Sequence, residues 1–203
     1  MGVDGSIDWL CLPRFDSDSA FAKLLGDYNN GRWLIQPDQR HSASRRYRSG
    51  SLVLETTFTI DEGRVRITDF MPPKMNGSKI VRIVEGVEGA VRMSTQLVVR
   101  FDYGVTVPWV NRLKDDALSA VASAHMLLLR TEVPLRGESM KTVGSFSVQV
   151  GQRVKFVLSY QPSYLPPEPA MDADEALRET DGFPGAAIGQ DPILTPSCAR
   201  SLP

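Results

Sequence analysis

The chain has 203 residues, 42% of them hydrophobic and 23% charged, which is enough apolar material for one sizeable core. Lysine and arginine number 23 and aspartate and glutamate 24, so the net charge is −1 and lacks the basic excess of a nucleic-acid-binding protein. Apolar runs are only a few residues long, so no membrane span is predicted, and no secretory signal opens the sequence. We therefore expect a cytoplasmic protein with no membrane or nucleic-acid partner.

The first fifty residues predict short elements. In chain order these are a strand at 7–11, a short apolar helix at 19–25 that ends at Gly26, and a strand at 32–35. The segment 40–48 is rich in arginine. It could contact nucleic acid, but at this net charge we expect a solvated edge strand, whose basic side chains deter pairing with other chains.

Alternation with a period of two residues dominates the region that follows. It is cleanest in four segments: 52–60, 91–101, 146–150 and 154–160. Shorter strands are predicted at 65–70, 79–87 and 118–131. A series of half-buried antiparallel strands with few helices predicts an all-β sandwich.

The sequence divides into three predicted parts. We assign 1–161 to the sandwich and 162–183 to a proline-rich linker with a short helix, for which Asp172 and Glu175 supply a capping box. The remainder, 184–203, carries neither apolar period and is predicted to be disordered.

Several kinds of catalytic and metal site are disfavoured. His41 and His125 have no cysteine nearby and no metal-binding spacing, so no metal is expected. No serine lies in a GxSxG elbow and no glycine-rich phosphate loop follows a strand, so neither a hydrolase triad nor a cofactor is expected. Cys11 and Cys198 lie near opposite ends and indicate neither a disulfide framework nor a zinc site.

Two polar-aromatic clusters are the candidate functional site, one at 9–17 and one at 100–109. Aromatic faces stack on sugar rings, and arginine and aspartate side chains hydrogen-bond to hydroxyl groups. The alternative is ordinary packing at strand ends, with the two arginines paired to carboxylates. The candidate residues are Trp9, Arg14, Phe15, Asp16, Arg100, Asp102, Tyr103 and Trp109.

Most acidic side chains, Glu55 among them, are predicted to be exposed because they lie on polar faces or in turns. Asp16, Asp69 and Asp102 are the exceptions, since each neighbours an aromatic residue and could be buried.

The same segments carry a resemblance to a known family. Residues 4–17 resemble the opening motif of bacterial glycoside hydrolase family 15 proteins, the glucoamylase and trehalase group. Further similarities follow in order at 21–27, 31–33, 46–48, 52–56, 68–72, 100–104 and 108–109. The likeness is to the amino-terminal trehalase-like domain only, which in the family is an antiparallel, galactose-mutarotase-like super-sandwich placed before an (α/α)6 barrel.

The resemblance implies an inverting α-glycosidase as the parent enzyme. Such enzymes use two carboxyl groups roughly 6.5–9.5 Å apart, and in the family both belong to the barrel. No acidic residue of this chain is therefore expected to be catalytic, and the chain is expected to be inactive alone. The barrel is the implied partner. Because the sequence after 183 is unlike the family, a truncated or frame-shifted gene is the expectation.

Two other functions stay open. Trp9, Trp33 and Trp109 could serve as stacking platforms of a stand-alone carbohydrate-binding sandwich with an α-glucoside or oligosaccharide as ligand. A mutarotase-like epimerase would need a histidine and glutamate pair, for which only His125 is available.

Overall fold

Strands make up most of the computed structural model, which describes residues 1–73, 77–115 and 117–182. The strands are β1 (Ser6–Ile7), β2 (Trp9–Cys11), β3 (Ser19–Ala22), β4 (Arg32–Pro37), β5 (Ser42–Tyr47), β6 (Leu54–Ile60), β7 (Gly63–Phe70), β8 (Lys79–Val98), β9 (Trp109–Arg112), β10 (Leu118–Ala122), β11 (His125–Thr131), β12 (Leu135–Glu138), β13 (Lys141–Gln149) and β14 (Arg153–Pro162). The helices are the single turn α1 (Phe101–Gly104) and α2 (Ala173–Gly182), with 3₁₀ turns at Lys23–Leu25 and Tyr28–Asn30. The prediction of an all-β sandwich with one or two short helices is confirmed.

Two antiparallel sheets share one long strand. The large sheet has the order β5-β6-β7-β8-β14-β11-β10-β9. The small sheet has the order β1-β4-β8-β13-β12, and β2 pairs separately with β3. The first half of β8 pairs with β7 and β14, and its second half pairs with β4 and β13.

The crossing of β8 from one sheet to the other occurs around Gly86. A Cβ atom at this position would lie 2.1 Å from the carbonyl oxygen of Gln149, so only glycine fits where the β13–β14 connection packs on the strand. The sequence predicted two strands here, at 79–87 and 91–101. The structure has one, because a glycine-containing bend does not end the hydrogen-bonded ladder.

The main core lies between the two sheets. The small sheet contributes Trp33, Ile35 and Met93, and the large sheet contributes Phe58 and Phe156, all of them fully buried. These residues occupy alternate positions along their strands, as the period of two requires.

A second, smaller core lies on the outer face of the large sheet. Ala173, Ala176 and Leu177 of α2 pack there against Val81 and Ile83 of β8. Helix α2 is capped by Asp172, whose carboxylate accepts hydrogen bonds from the backbone N–H groups of residues 174 and 175. Helix α2 therefore covers one face of the sandwich.

The stretch between β14 and α2 is held to the end of β14 by one glutamine. The side-chain amide of Gln161 donates to the carbonyl of Pro166 (2.9 Å), and its oxygen accepts from the N–H of Glu168 (2.9 Å). The Glu168 carboxylate also meets Nζ of Lys79 at 2.6 Å. These contacts fix where the chain approaches α2.

Two local predictions have clear outcomes. The helix predicted at 19–25 is wrong, because Ser19–Ala22 is a fully buried strand paired with β2 and only Lys23–Leu25 forms a 3₁₀ turn. Tertiary burial here overrides a short apolar pattern that fits either element. The edge strand predicted within 40–48 is confirmed, since β5 pairs with β6 alone. None of the helices in the described ranges is long and apolar enough to cross a membrane.

Candidate functional site

The two clusters predicted from the sequence meet at one end of the sandwich. Asp16 from the loop after β2 and Asp102 from α1 line the same pocket, which has a volume of about 280 Å³. Ser17, Asp18 and His125 complete its polar lining. Three carboxylates from two segments that are distant in sequence therefore surround one pocket.

A left-handed turn carries Asp102, which lines this pocket, and the adjacent Tyr103. Their φ angles are 53° and 57°, and Gly104 follows with φ 95°. Left-handed backbone in non-glycine residues costs about 1–3 kcal/mol each and persists only where the surroundings enforce it. Here, reciprocal backbone hydrogen bonds of 2.9 and 3.0 Å between Phe101 and Thr106 close the turn, and the Thr106 hydroxyl donates to the Asp102 carboxylate.

Gly104 allows this turn to lie against the 3₁₀ turn Tyr28–Asn30. A Cβ at Gly104 would be 3.0 Å from the side-chain nitrogen of Asn30, and φ at this position is one that only glycine adopts without strain.

Trp9 and Tyr103 form an aromatic pair next to Asp18, one of the residues that line this pocket. Their ring centroids are 6.1 Å apart with the planes inclined by 38°, and both rings remain well exposed. Loss of surrounding water, together with the negative charge of Asp18 and the hydrogen bond to it, raises the pKa of Tyr103 above its ordinary value. The phenol thus stays protonated and donates to Asp18.

Arg14, Phe15 and Asp16 project from the surface. The Arg14 guanidinium forms a two-point ion pair with the Asp16 carboxylate, Nε–Oδ1 2.9 Å and Nη2–Oδ2 3.0 Å. Phe15 is 90% exposed between them. Asp16 and Asp102 are exposed, contrary to the expectation that they could be buried, whereas Asp69 is buried.

Arg100 and Trp109 line a second, larger groove of about 510 Å³. Trp109, on the edge strand β9, is 82% exposed, whereas Arg100 is only 7% exposed. Among the described residues Arg100 has no carboxylate partner, which corrects the alternative that paired it with one. Its guanidinium donates instead to the carbonyl oxygens of Val99 (2.7 Å) and Met140 (3.3 Å). The turn α1 separates this groove from the pocket.

Some residues of the site were missed or misplaced by sequence reasoning. Asp18 lies two residues beyond Asp16 in the same loop, and that proximity was a usable signal. His125 enters the pocket from β11, which nothing in the sequence indicated. Trp33 is fully buried and so cannot serve as the stacking platform considered above.

The histidine does not sit in the surroundings that an epimerase would need. Nδ1 of His125 lies 2.7 Å from the hydroxyl of Tyr160, and its ring stacks on Phe101 at 6.1 Å. Its hydrogen-bond partner is thus a tyrosine rather than a glutamate.

No metal centre is found in the part of the chain that the structure describes: it contains no group of three or more His, Cys, Asp or Glu side chains that could hold an ion. Cys11 is a free thiol, and Cys198 lies outside the described residues.

The fold and these surfaces define an antiparallel β-sandwich domain with an exposed aromatic and acidic end. A family model described as "Trehalase-like, N-terminal" matches residues 1–155. The chain therefore belongs to the trehalase-like N-terminal domain family, as the sequence resemblance implied.

Curated relatives are trehalases and are much longer than this chain. The chain is 37% identical over 134 residues to Trehalase 1 of Sulfolobus acidocaldarius, an alignment that covers 64% of this chain and 23% of that protein. It is 29% identical over 134 residues to the trehalase of Thermoplasma acidophilum, covering 62% and 23%. It is 26% identical over 203 residues to the trehalase of Mycobacterium tuberculosis, covering 87% and 30%. The chain thus spans less than a third of the length of these relatives.

Proposed function

We propose that this chain is the non-catalytic amino-terminal domain of a cytoplasmic glycoside hydrolase of family 15, one that acts on trehalose or another α-glucoside. In this proposal the aromatic and acidic end of the sandwich docks against a catalytic (α/α)6 barrel, supports its folding and contributes to the rim of its active site. Membership of the trehalase-like N-terminal family and the limited share of the trehalases that the chain covers support this assignment.

The observation that carries the proposal is the exposed aromatic pair formed by Trp9 of β2 and Tyr103 of the strained turn α1. Trp9 is 39% exposed and Tyr103 is 44% exposed. Phe15 and Trp109 lie close to them in the sequence and are more exposed still. Large apolar groups concentrated on one surface mark a contact surface. The strain in α1 is typical of a turn shaped for a contact rather than for folding alone.

The carboxylates favour a supporting role over catalysis. An inverting hydrolase needs a carboxylic acid held protonated by apolar surroundings. Asp16 is instead exposed and ion-paired with Arg14, Asp102 accepts from the Thr106 hydroxyl, and Asp18 accepts from the Tyr103 phenol. Each of these carboxylates is thus engaged by a polar or charged partner and does not lie in apolar surroundings.

An activity assay tests the non-catalytic role. The purified chain is incubated with trehalose and with maltotriose, and released glucose is measured beside full-length Trehalase 1 of Sulfolobus acidocaldarius as positive control. We expect no release above the blank. Glucose release that disappears in Asp102→Asn would overturn the proposal.

The pocket also supports a second candidate function, carbohydrate binding. The pocket carboxylates can accept hydrogen bonds from sugar hydroxyls, and Asp18 is linked through Tyr103 to the exposed Trp9 indole, which offers a stacking face; a volume of about 280 Å³ suits a single sugar ring. Titration with trehalose and maltose, followed by tryptophan fluorescence, tests this candidate. A saturable change that is lost in Trp9→Phe but kept in Trp109→Phe would support binding at this pocket. No change in the unmodified chain would remove this candidate.

A further inference from the structure

The larger groove opens between the edges of the two sheets. It lies between β9–β11 of the large sheet and β12–β13 of the small sheet, and has a volume of about 510 Å³. Its floor is aliphatic and includes Leu97, Leu127, Leu129, Leu135 and Leu158. Strands β9 and β12 flank it, and each pairs with a neighbouring strand on one side only. The sandwich is therefore open to a partner at this point.

Arg100, at one end of the groove, is unusual among the arginines of the described residues. Four other arginines that are at least partly buried each pair with a carboxylate: Arg48, Arg66, Arg82 and Arg130. Within the described ranges, Arg100 and Arg32 are partly or fully buried with no such pair.

Those two arginines are neighbours. A Cβ on Gly31, the residue before Arg32, would lie 3.3 Å from the Cβ of Arg100. Arg32 donates through Nη2 to the side chain of Gln96 at 2.8 Å, but its Nε is buried without a hydrogen-bond partner.

Lys141 brings a third cation to the same end of the groove. Its Nζ lies 4.4 Å from the ring centroid of Tyr28, and the guanidinium of Arg32 lies over the same ring at 5.4 Å. The described residues supply no carboxylate to Lys141, which also lines the groove. We call Arg32, Arg100 and Lys141 the cationic cluster.

Without a partner, such a cluster of positive charges is energetically unfavourable for the folded chain. A buried charge without a counter-charge is costly, and natural proteins pair it or neutralise it. Burial lowers the pKa of Arg100 below its ordinary value, which reports the same cost. An anion from outside the described chain would offset that cost, and an apolar side chain next to it would gain from burial on the aliphatic floor.

We propose that the groove receives an acidic segment of the catalytic domain, whose apolar side chain fills the aliphatic floor while a neighbouring aspartate or glutamate pairs with Arg100 and Lys141. This inference rests on the proposed function and adds the place and chemistry of the contact. An acidic segment would be complementary in charge to the cationic cluster, and the curated trehalases have more than two thirds of their length outside the matched region to supply such a segment.

The first test uses the chain alone. Arg100→Met removes a charge that has no carboxylate partner, so we expect the melting temperature to be unchanged or higher. A loss of melting temperature as large as that caused by Arg82→Met would show that Arg100 is a structural residue and would overturn the proposal. Arg178→Met, at an exposed position on α2, is the matched control.

The second test measures binding. The part of Sulfolobus acidocaldarius Trehalase 1 outside its match to this chain is co-expressed with the chain, and the dissociation constant is measured at low and high salt. We expect the affinity to fall as the salt concentration rises. Arg100→Met and Lys141→Met should each raise the dissociation constant roughly tenfold or more, and Arg178→Met should leave it unchanged. Binding that all three variants retain would overturn this inference and leave the proposed function standing. No binding of the unmodified chain to that part of Trehalase 1, once its circular dichroism spectrum shows that it is folded, would overturn the proposed function, and this inference with it.

Discussion

Asp69 and Arg82 face each other in register on the neighbouring strands β7 and β8 of the large sheet and form an ion pair, with Nε of Arg82 2.8 Å from Oδ1 of Asp69. Both side chains are almost completely buried. The guanidinium also donates to the carbonyl oxygens of Gly5 (2.7 Å) and Trp33 (3.2 Å), and lies 5.0 Å from the Trp33 ring centroid. One arginine thus joins the large sheet, the small sheet and the segment that leads into the candidate site.

Removal of the Arg82 side chain alone should destabilise the folded domain strongly. Arg82→Met leaves the Asp69 carboxylate buried without its partner, so we expect the free energy of unfolding in urea to fall by about 3–5 kcal/mol. The double variant Arg82→Met/Asp69→Leu should recover part of that loss, because both charges are then absent. Arg92→Met is the control, since its pair with Asp38 is largely exposed and should change stability by about 1 kcal/mol or less. Equal effects of Arg82→Met and Arg92→Met would contradict this account.

Glu55 gives a pH-dependent prediction. The sequence placed it on a polar face, but its side chain is buried beneath Arg46 and Arg48, with contacts of 3.1 and 2.9 Å. Burial acts to raise the pKa of Glu55, but the hydrogen bonds from Arg48 and Arg46 and the charges of Arg48 and Arg66 outweigh it, so the pKa lies below its ordinary value. Because the pKa is lowered by folding, the stabilisation is present above the unfolded-state pKa of about 4.3 and is lost as pH falls through the lower folded-state value.

Glu55→Gln should therefore lower the free energy of unfolding at pH 7 by roughly 1.5–3 kcal/mol, the range for hydrogen bonds to charged groups. The difference from the unmodified chain should shrink as the pH falls below about 5. Chemical denaturation across this pH range measures it. Glu88→Gln, in an exposed pair with Arg64, is the control and should show little pH-dependent difference. A difference for Glu55→Gln that grows on acidification would refute the assignment.

Helix α2 should belong to the folding unit. Leu177 packs on the outer face of the large sheet, so Leu177→Ala should cost about 2–5 kcal/mol. A chain that ends at Pro162 should melt at a lower temperature than one that ends at Gly182, because Val81 and Ile83 lose their cover. Equal melting temperatures for the two chains would show that the sandwich is complete without α2.

The exposed indole of Trp109 should promote self-association when nothing covers the groove. We expect the chain to form oligomers at high concentration in sedimentation experiments, and Trp109→Ser to weaken them. Leu52→Ser removes a comparably exposed apolar side chain from a different surface and should leave association unchanged. A monomer at all concentrations, with or without Trp109, would argue against a contact surface here.

Local sequence patterns predicted the strands better than the contacts. Period-two alternation identified β6, β13 and β14, because it depends only on which face of a strand is buried. The same rule failed for Glu55, whose position on the polar face did not reveal the two arginines that cover it.

The candidate site was predictable in parts only. Composition singled out Asp16 and Asp102 separately, and the structure places them in one pocket. His125 and the unpaired Arg100 could not be found from the sequence, because their surroundings come from strands that are distant along the chain. Periodicity specifies faces of strands, whereas a site depends on strand order.

The shared strand β8 has a consequence for how the domain unfolds. Each sheet needs β8 as a member, and its partners β4, β13 and β14 come from both sides of it in the sequence. Because one strand runs through both sheets and their facing side chains form a single core, we expect the slowest-exchanging amides of both sheets to share one opening free energy. Folding also requires these distant segments to come together. We therefore expect the domain to fold slowly and in one cooperative step.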